Sequence, residues 1–233
     1  MKILVTGATR GIGRAIFDEL KCDNDVYALA RDEKKLSELN AKGYLVCNLT
    51  KDIDKVREFI DNIKFDVIVN NAGEYIYSPI DKIDQSMIEG IFKTNLVAPI
   101  KIISYASQYM KQNRFGRIVN IGSISGVMGE ANASLYSASK SGLIGFTKAL
   151  ALELAEYNIT VNTINPGWVD TDLGCGSIDE SDFTKEEIID CIPQRRFVEP
   201  YEVAKLVKYL ISEDAKGLTG QSINLCAGLS VGI

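Results

Sequence analysis

The chain has 233 residues, 46% of them hydrophobic and 24% charged, with a formal net charge of −5. That composition belongs to a globular protein with a core of its own, and the acidic balance opposes binding to nucleic acid or an anionic membrane through the overall field. There are no histidines, which excludes histidine catalysis and His-ligated zinc, so no metal is expected.

Cys22, Cys47, Cys175, Cys191 and Cys226 are odd in number and scattered, with no C-x-x-C pair. That argues against a disulfide framework and for a reducing compartment. Residues 1–7 enter an apolar run that ends at Gly7, without the longer apolar segment of a signal peptide. No run of roughly 18 apolar residues is present to span a bilayer. A cytoplasmic protein is expected.

Residues 2–6 read as a strand, followed by a glycine-containing loop and a helix over 14–21. A second strand is expected at 25–30, a charged helix at 32–40 and a short strand at 44–47. Ile53, Val56, Ile60 and Ile63 share one face of a helix over 50–63. A buried strand at 65–69 ends in Asn70-Asn71-Ala72-Gly73, and residues 85–112 read as helix divided at Pro99. A fifth strand covers 117–121, a long helix 135–157 and a sixth strand 159–164, closed by Asn165-Pro166-Gly167. Thr184 and Glu187 have capping-box spacing, so a helix starts there; another spans 200–211, and the last strand is 222–225.

Strands alternating with helices in this way predict a single α/β domain. Its expected form is a Rossmann-type doubly wound parallel sheet of about seven strands with helices on both faces. The irregular stretch at about 172–197 follows a strand end, where such sheets bind ligands, and is expected to form a substrate lid.

Gly7, Gly11 and Gly13 lie between the first strand and the first helix. Small residues there let backbone N–H groups reach a pyrophosphate, and the helix N-terminus adds positive potential. At the end of the second strand an acid would hold a ribose 2′-hydroxyl, but Ala30 and Arg31 occupy that end. With Arg10 nearby, two guanidiniums suit a 2′-phosphate, so NADP(H) is the expected cofactor. Asp32 follows one residue later and is expected to point away.

Tyr136 and Lys140 are four residues apart and share a helix face. A neighbouring ammonium favours phenolate, which equips the pair for proton transfer to or from an oxygen. The spacing alone is weak evidence, since Tyr201 and Lys205 repeat it. Only the first pair has a serine, Ser123, just past the end of a strand upstream.

The glycine loop TGATRGIG, NNAG at 70–73, Asn95 in KTNL, Ser123 in GSISG, Tyr136 and Lys140 in YSASK, and NPGWVDTD at 165–172 occur in order. Together they resemble the short-chain dehydrogenase/reductase family over nearly the whole chain. Within it, GRIVNIGSISGVMG and LTGQSINLCAG are most similar to bacterial 3-oxoacyl-(acyl-carrier-protein) reductases.

The resemblance implies that Tyr136 is a general acid, that Ser123 orients the substrate carbonyl, that Lys140 binds the nicotinamide ribose and that Asn95 supports a proton-relay water. It places Thr171 and the Val169 backbone at the nicotinamide amide, and Asn48, Leu49 and Ala72 beside the adenosine. It extends the cofactor site over Thr9, Ile12, Asn71, Gly73, Pro166 and Gly167. A homotetramer is implied, built on the two long helices and the last strand.

Carrier-protein reductases dock an acidic partner through two basic positions. Arg114 matches one, with Lys111 and Arg117 near it, but Tyr157 stands at the other. The expected reaction is NADPH-dependent reduction of a carbonyl, most readily a 3-oxoacyl thioester, with an acyl carrier protein as candidate partner. Glu74, Tyr75 and Tyr77 near the substrate entrance suit a small or sugar-like ketone as the alternative. A non-catalytic NADP(H)-sensing protein is the alternative of another class, and the intact Asn95, Ser123, Tyr136 and Lys140 speak against it.

Overall fold

The computed structural model describes residues 1–171 and 184–231. The strands are β1 (Lys2–Thr6), β2 (Asp25–Ala30), β3 (Gly43–Val46), β4 (Val67–Asn70), β5 (Gly116–Ile121), β6 (Ile159–Pro166) and β7 (Ser222–Leu225). They form one parallel sheet in the order β3-β2-β1-β4-β5-β6-β7. Successive side chains of a strand face opposite sides. Ile3 and Val5 of β1 therefore join one hydrophobic cluster and Leu4 the other. The split repeats in β4, with Val67 and Val69 opposed to Ile68, and in β5, with Val119 and Ile121 opposed to Ile118.

Strands apolar on both faces need cover on both. On one face, Ile16, Phe17 and Leu20 of α1 (Gly11–Leu20) share a cluster with Val203, Val207 and Leu210 of the helix Pro200–Leu210. On the other, α3 (Ile53–Ile63) contributes Val56 and Ile60, α5 (Ala98–Asn113) Ile102, Ile103 and Met110, and α7 (Ser134–Leu154) Ala151 and Leu154. The short helices α2 (Glu33–Ser37), α4 (Gln85–Phe92) and α6 (Ser125–Met128) complete the connections before α7.

Several boundaries differ from the sequence expectations, each for a local reason. The helix expected from residue 50 starts at Ile53, because Asn48 organises a turn: its side chain accepts from Thr50 N at 3.0 Å while its own N–H donates to Asp52 at 3.1 Å. The helix over 85–112 is interrupted before Pro99, not at it. Residues Lys93–Val97 form a π turn around the buried Asn95, and Pro99 sits in the first turn of α5, where its missing N–H costs nothing. Thr184 caps the helix Lys185–Cys191 with the expected capping box. The expected lid falls partly at 172–183, outside the described residues.

The loop after β1 turns at Gly7, whose φ of +66° lies in the left-handed region. Asn71, past the end of β4, ties down this turn by donating from Nδ2 to the carbonyls of Thr6 and Gly7 at 3.0 and 3.2 Å. Gly13 packs directly beneath: a Cβ there would lie 2.1 Å from Gly7 O and 2.4 Å from Asn71 Nδ2. Gly13→Ala is therefore expected to cost on the order of 2–3 kcal/mol, the scale of overpacking against backbone. A urea unfolding midpoint equal to that of the parent would show that the loop yields without cost.

Candidate active site

The loops at the C-terminal edge of the sheet enclose a cleft of about 480 Å³ at the point where strand order reverses between β1 and β4. Gly7, Thr9, Arg10, Gly11, Ile12 and Gly13 line it beside the N-terminus of α1. Arg31, Asn48, Leu49, Asn71, Ala72 and Gly73 line it from the neighbouring strand ends, and Pro166, Gly167, Val169 and Thr171 from the end of β6. The glycines put bare backbone at the cleft, and a helix N-terminus suits an anion, so the residues fit a dinucleotide pyrophosphate.

At one end stand three cations, Arg10, Arg31 and Lys35. Lys35 was not singled out from sequence; its place four residues after Arg31 was the available signal. Asp32 lines the same end of the cleft, against the expectation that it points away, and its carboxylate caps α2, accepting from Lys35 N at 3.1 Å. Arg31 forms an exposed ion pair with Glu74 at 3.2 Å, and both residues line the cleft.

At the other end, Ser123 follows β5, while Tyr136 and Lys140 project from the first turns of α7. The Lys140 Nζ is buried, donates to Ile121 O at 2.8 Å and lies 5.7 Å from the Tyr136 ring centroid. Burial pushes the Lys140 ammonium down to about 8. It also pushes the Tyr136 phenol up to about 12, with the Ser123 hydroxyl opposing the rise and the Glu130 carboxylate adding to it. Desolvation sets the direction at Tyr136, upward, opposite to the one expected from a neighbouring ammonium.

Asn95 does not face the cleft. Its Oδ1 accepts from Glu74 N at 2.8 Å, and Nδ2 donates to Glu74 O at 2.8 Å and Ser139 Oγ at 3.1 Å. With both amide hydrogens engaged, the side chain holds the wall of the cleft to α7.

The whole arrangement has known counterparts. A family model described as short chain dehydrogenase matches residues 1–180. The chain belongs to this family. Among its relatives, the 3-oxoacyl-(acyl-carrier-protein) reductase FabG of Haemophilus influenzae is 37% identical over 97% of this chain and 96% of its own. An uncharacterized oxidoreductase of Bacillus subtilis is 34% identical over 97% and 96%. The crystal structure of an actinorhodin polyketide ketoreductase with NADPH superposes with a TM-score of 0.92 at 33% identity, covering 99% of this chain and 97% of that one. YwfH, an NADPH dependent reductase involved in bacilysin biosynthesis, superposes with a TM-score of 0.91 at 28% identity over 98% and 97%. As a short chain dehydrogenase, this chain is an oxidoreductase interconverting alcohol and carbonyl groups.

Other sequence expectations resolve outside the cleft. Tyr201 is 60% exposed and Lys205 pairs with Glu19 at 2.8 Å, so the second Tyr-x-x-x-Lys pair is a surface feature. Arg117 is fully buried, pairs with Glu213 at 3.0 Å and stacks on Phe115, so it is withdrawn from the basic patch expected near Arg114. Lys111 sits 5.1 Å from the Tyr157 ring centroid, and Arg114 donates to Glu156 O at 2.6 Å. Trp168 lines the cleft and stacks on Phe197, with centroids 6.0 Å apart.

Lys140 carries a stability consequence. Its proton is held to an ordinary value of 10.5 when exposed but only to about 8 in the fold. Between those values the unfolded chain binds more protons, so stability rises with pH through that window, and below it burial of the charge is a constant cost. Lys140→Met is expected to be more stable than the parent at pH 7 by roughly 2 kcal/mol, after the loss of the bond to Ile121. The gain should shrink toward pH 10.5. Denaturant melts at pH 7 and 10 test this, and a less stable variant at pH 7 would refute it.

Proposed function

We propose that this protein reduces a ketone to a secondary alcohol with NADPH, and that its substrate is a 3-oxoacyl thioester. The observation that carries the reading is one cleft with three cations at one end and Ser123, Tyr136 and Lys140 at the other. Arg10, Arg31 and Lys35 are placed to hold a 2′-phosphate, and the glycine loop to hold the pyrophosphate. Bound there, NADPH supplies the hydride.

Tyr136 donates the proton to the carbonyl oxygen, and a phenol held up to about 12 keeps that proton at neutral pH. The Ser123 hydroxyl, beside it, stabilises the oxygen as negative charge develops. Lys140 approaches the same region from α7 and offers an ammonium to a ribose hydroxyl. Asn95 acts as a positioning residue through Glu74 and Ser139. The named activities of the relatives, a 3-oxoacyl-(acyl-carrier-protein) reductase and a polyketide ketoreductase, support the thioester reading.

Lys111 and Arg114 would meet an acidic carrier protein, Lys111 lying over the aromatic ring that replaces the second basic anchor. The proposed assembly is a homotetramer through α5, α7 and β7, and Leu152 of α7 is 83% exposed and free to be covered. A second reading, a small polar ketone, is favoured by Tyr75 and Glu74, which line the cleft, Tyr75 lying edge-on to Tyr136.

Following NADPH oxidation against acetoacetyl thioesters, sugars and small diketones separates the readings. Thioester turnover should fall at least tenfold for Arg114→Glu with a carrier-protein substrate and hold with a coenzyme A substrate. Tyr136→Phe should lose at least a hundredfold on every substrate; full turnover by that variant would end the mechanism.

The Arg31–Glu74 ion pair competes with a 2′-phosphate for the guanidinium. Glu74→Gln is expected to tighten NADPH several-fold and leave NADH binding nearly unchanged, as read by fluorescence titration. NADH binding more tightly than NADPH to the parent protein would overturn the cofactor assignment.

A further inference from the structure

Behind the wall of the cleft, a carboxylate holds two groups, one packed against the proposed proton donor and the other bonded to Ser123. Glu130 lies between α6 and α7 and does not itself line the cleft. One of its oxygens, Oε1, accepts from the Tyr75 hydroxyl at 2.7 Å, and Oε2 accepts from Ser125 Oγ at 2.6 Å. A carboxylate only accepts, so both neighbouring hydroxyls must spend their protons on it. Ser125 Oγ is then left as an acceptor, and Ser123 Oγ, 3.1 Å away, donates to it while accepting from Ser125 N at 3.1 Å. Ser123 and Ser125 are both buried at the cleft wall. On the other branch, the Tyr75 ring packs edge-on to Tyr136 with centroids 5.0 Å apart.

The surrounding backbone is built to keep Glu130 there. Asn132 donates from Nδ2 to the Tyr77 hydroxyl at 2.9 Å, and its carbonyl accepts from Ser78 N at 2.6 Å. The loop after α6 and the segment after β4 are thereby clasped at three points, of which Tyr75–Glu130 is the one next to Tyr136.

We propose that Glu130 is a positioning residue that fixes Ser123 through Ser125, holds Tyr75 against Tyr136 and keeps the proton on Tyr136, so that the site is set for reduction rather than oxidation. The inference rests on the reading of Tyr136 as the proton donor. Among the described residues, the titratable groups around the Tyr136 ring are Lys140 on its own helix, Tyr75 from the segment after β4 and Glu130 from the loop after α6. The Lys140 ammonium is turned to Ile121 O, and Tyr75 is held in its neutral form by burial and by Glu130. Glu130 is therefore the negative charge that opposes a phenolate on Tyr136, held near it by the Tyr75 ring contact on one side and the Ser125–Ser123 bonds on the other. When a substrate oxygen enters beside Tyr136, the Ser123 proton turns from Ser125 to that oxygen, with Ser123 still held by the Ser125 N–H.

The test uses Glu130→Gln, which keeps the shape and removes the charge, with Glu130→Asp as the variant that keeps the charge. Tyrosines labelled with ¹³C at Cζ are followed by NMR from pH 8 to 10.5, with Tyr136 identified by its absence in Tyr136→Phe. The Tyr136 resonance should begin to titrate about one pH unit earlier in Glu130→Gln, as for loss of a neighbouring like charge, and stay near the parent course in Glu130→Asp. The pH of half-maximal alcohol oxidation should fall by a similar amount in Glu130→Gln. Ser125→Ala, which leaves the charge and the Tyr75 bond, should keep the parent titration and lower kcat three- to tenfold at unchanged KM. Should Glu130→Gln not fold, Glu130→Met removes the charge at similar length, and the same early titration is expected. Parent-like titration and a parent-like pH profile in the variant that lacks the charge would overturn the role of Glu130. Full turnover by Tyr136→Phe would instead overturn the donor reading on which it rests.

Discussion

A buried ammonium at the C-terminal edge of a parallel sheet is the constraint around which this site is arranged. Lys140 is 4% exposed and donates to the last carbonyl of β5, Ile121. A charge in that position is costly, and burial draws its affinity for the proton down to about 8. It is held there because α7 is fastened to the sheet beneath it. Asn70 donates to Asn120 at 2.9 Å, Asn120 to Thr147 of α7 at 2.9 Å, and Thr147 shares a proton with Thr163 of β6 at 2.7 Å. This chain of buried polar groups crosses β4, β5, α7 and β6, and it sets the height of α7 above the sheet. The ring of Tyr136, one turn before Lys140, takes its place over the cleft as a result.

The opposite wall is set by a different device. Asn95 lies in a π turn, where the extra residue per turn lets its side chain reach the backbone of Glu74 and pair with both N–H and C=O. The segment after β4 is thereby fixed against α7 through Ser139. Asn71 does the same for the glycine loop. Two asparagines that look like cleft residues in sequence are thus braces: one stands wholly behind the cleft, and the other lines it while its amide holds the backbone. Polar side chains serve this purpose well because buried backbone groups at strand ends lack partners in the ladder.

Much of the architecture was legible in the sequence. The alternation of short apolar runs with amphipathic stretches indicated a parallel doubly wound sheet, and the last strand, 222–225, has the bounds expected of it. The family motifs pointed to the residues now found together on one cleft, and the comparisons establish the family. Boundaries were less legible where side chains compete with helix backbone, as Asn48 and Asp52 do before α3. The interruption near residue 95 was attributed to Pro99, the obvious breaker, because a π turn leaves no compositional mark. Glu130 and Ser125 carried no signal at all: their role depends on Tyr75, 55 residues from Glu130 in the chain.

What the sequence determined by itself is the set of local choices: hydrophobic periodicity, the glycines at the first turn, and the spacing of Tyr136 and Lys140. These follow from the geometry of strands and helices over a few residues. Only the tertiary structure decided that Arg117 is buried against Glu213, that Asn95 stands behind the cleft, and that burial drives the Tyr136 phenol upward. Those outcomes depend on desolvation and on charges brought together from distant segments, and the free energy of a proton on a side chain is a property of its surroundings, not of its neighbours in sequence.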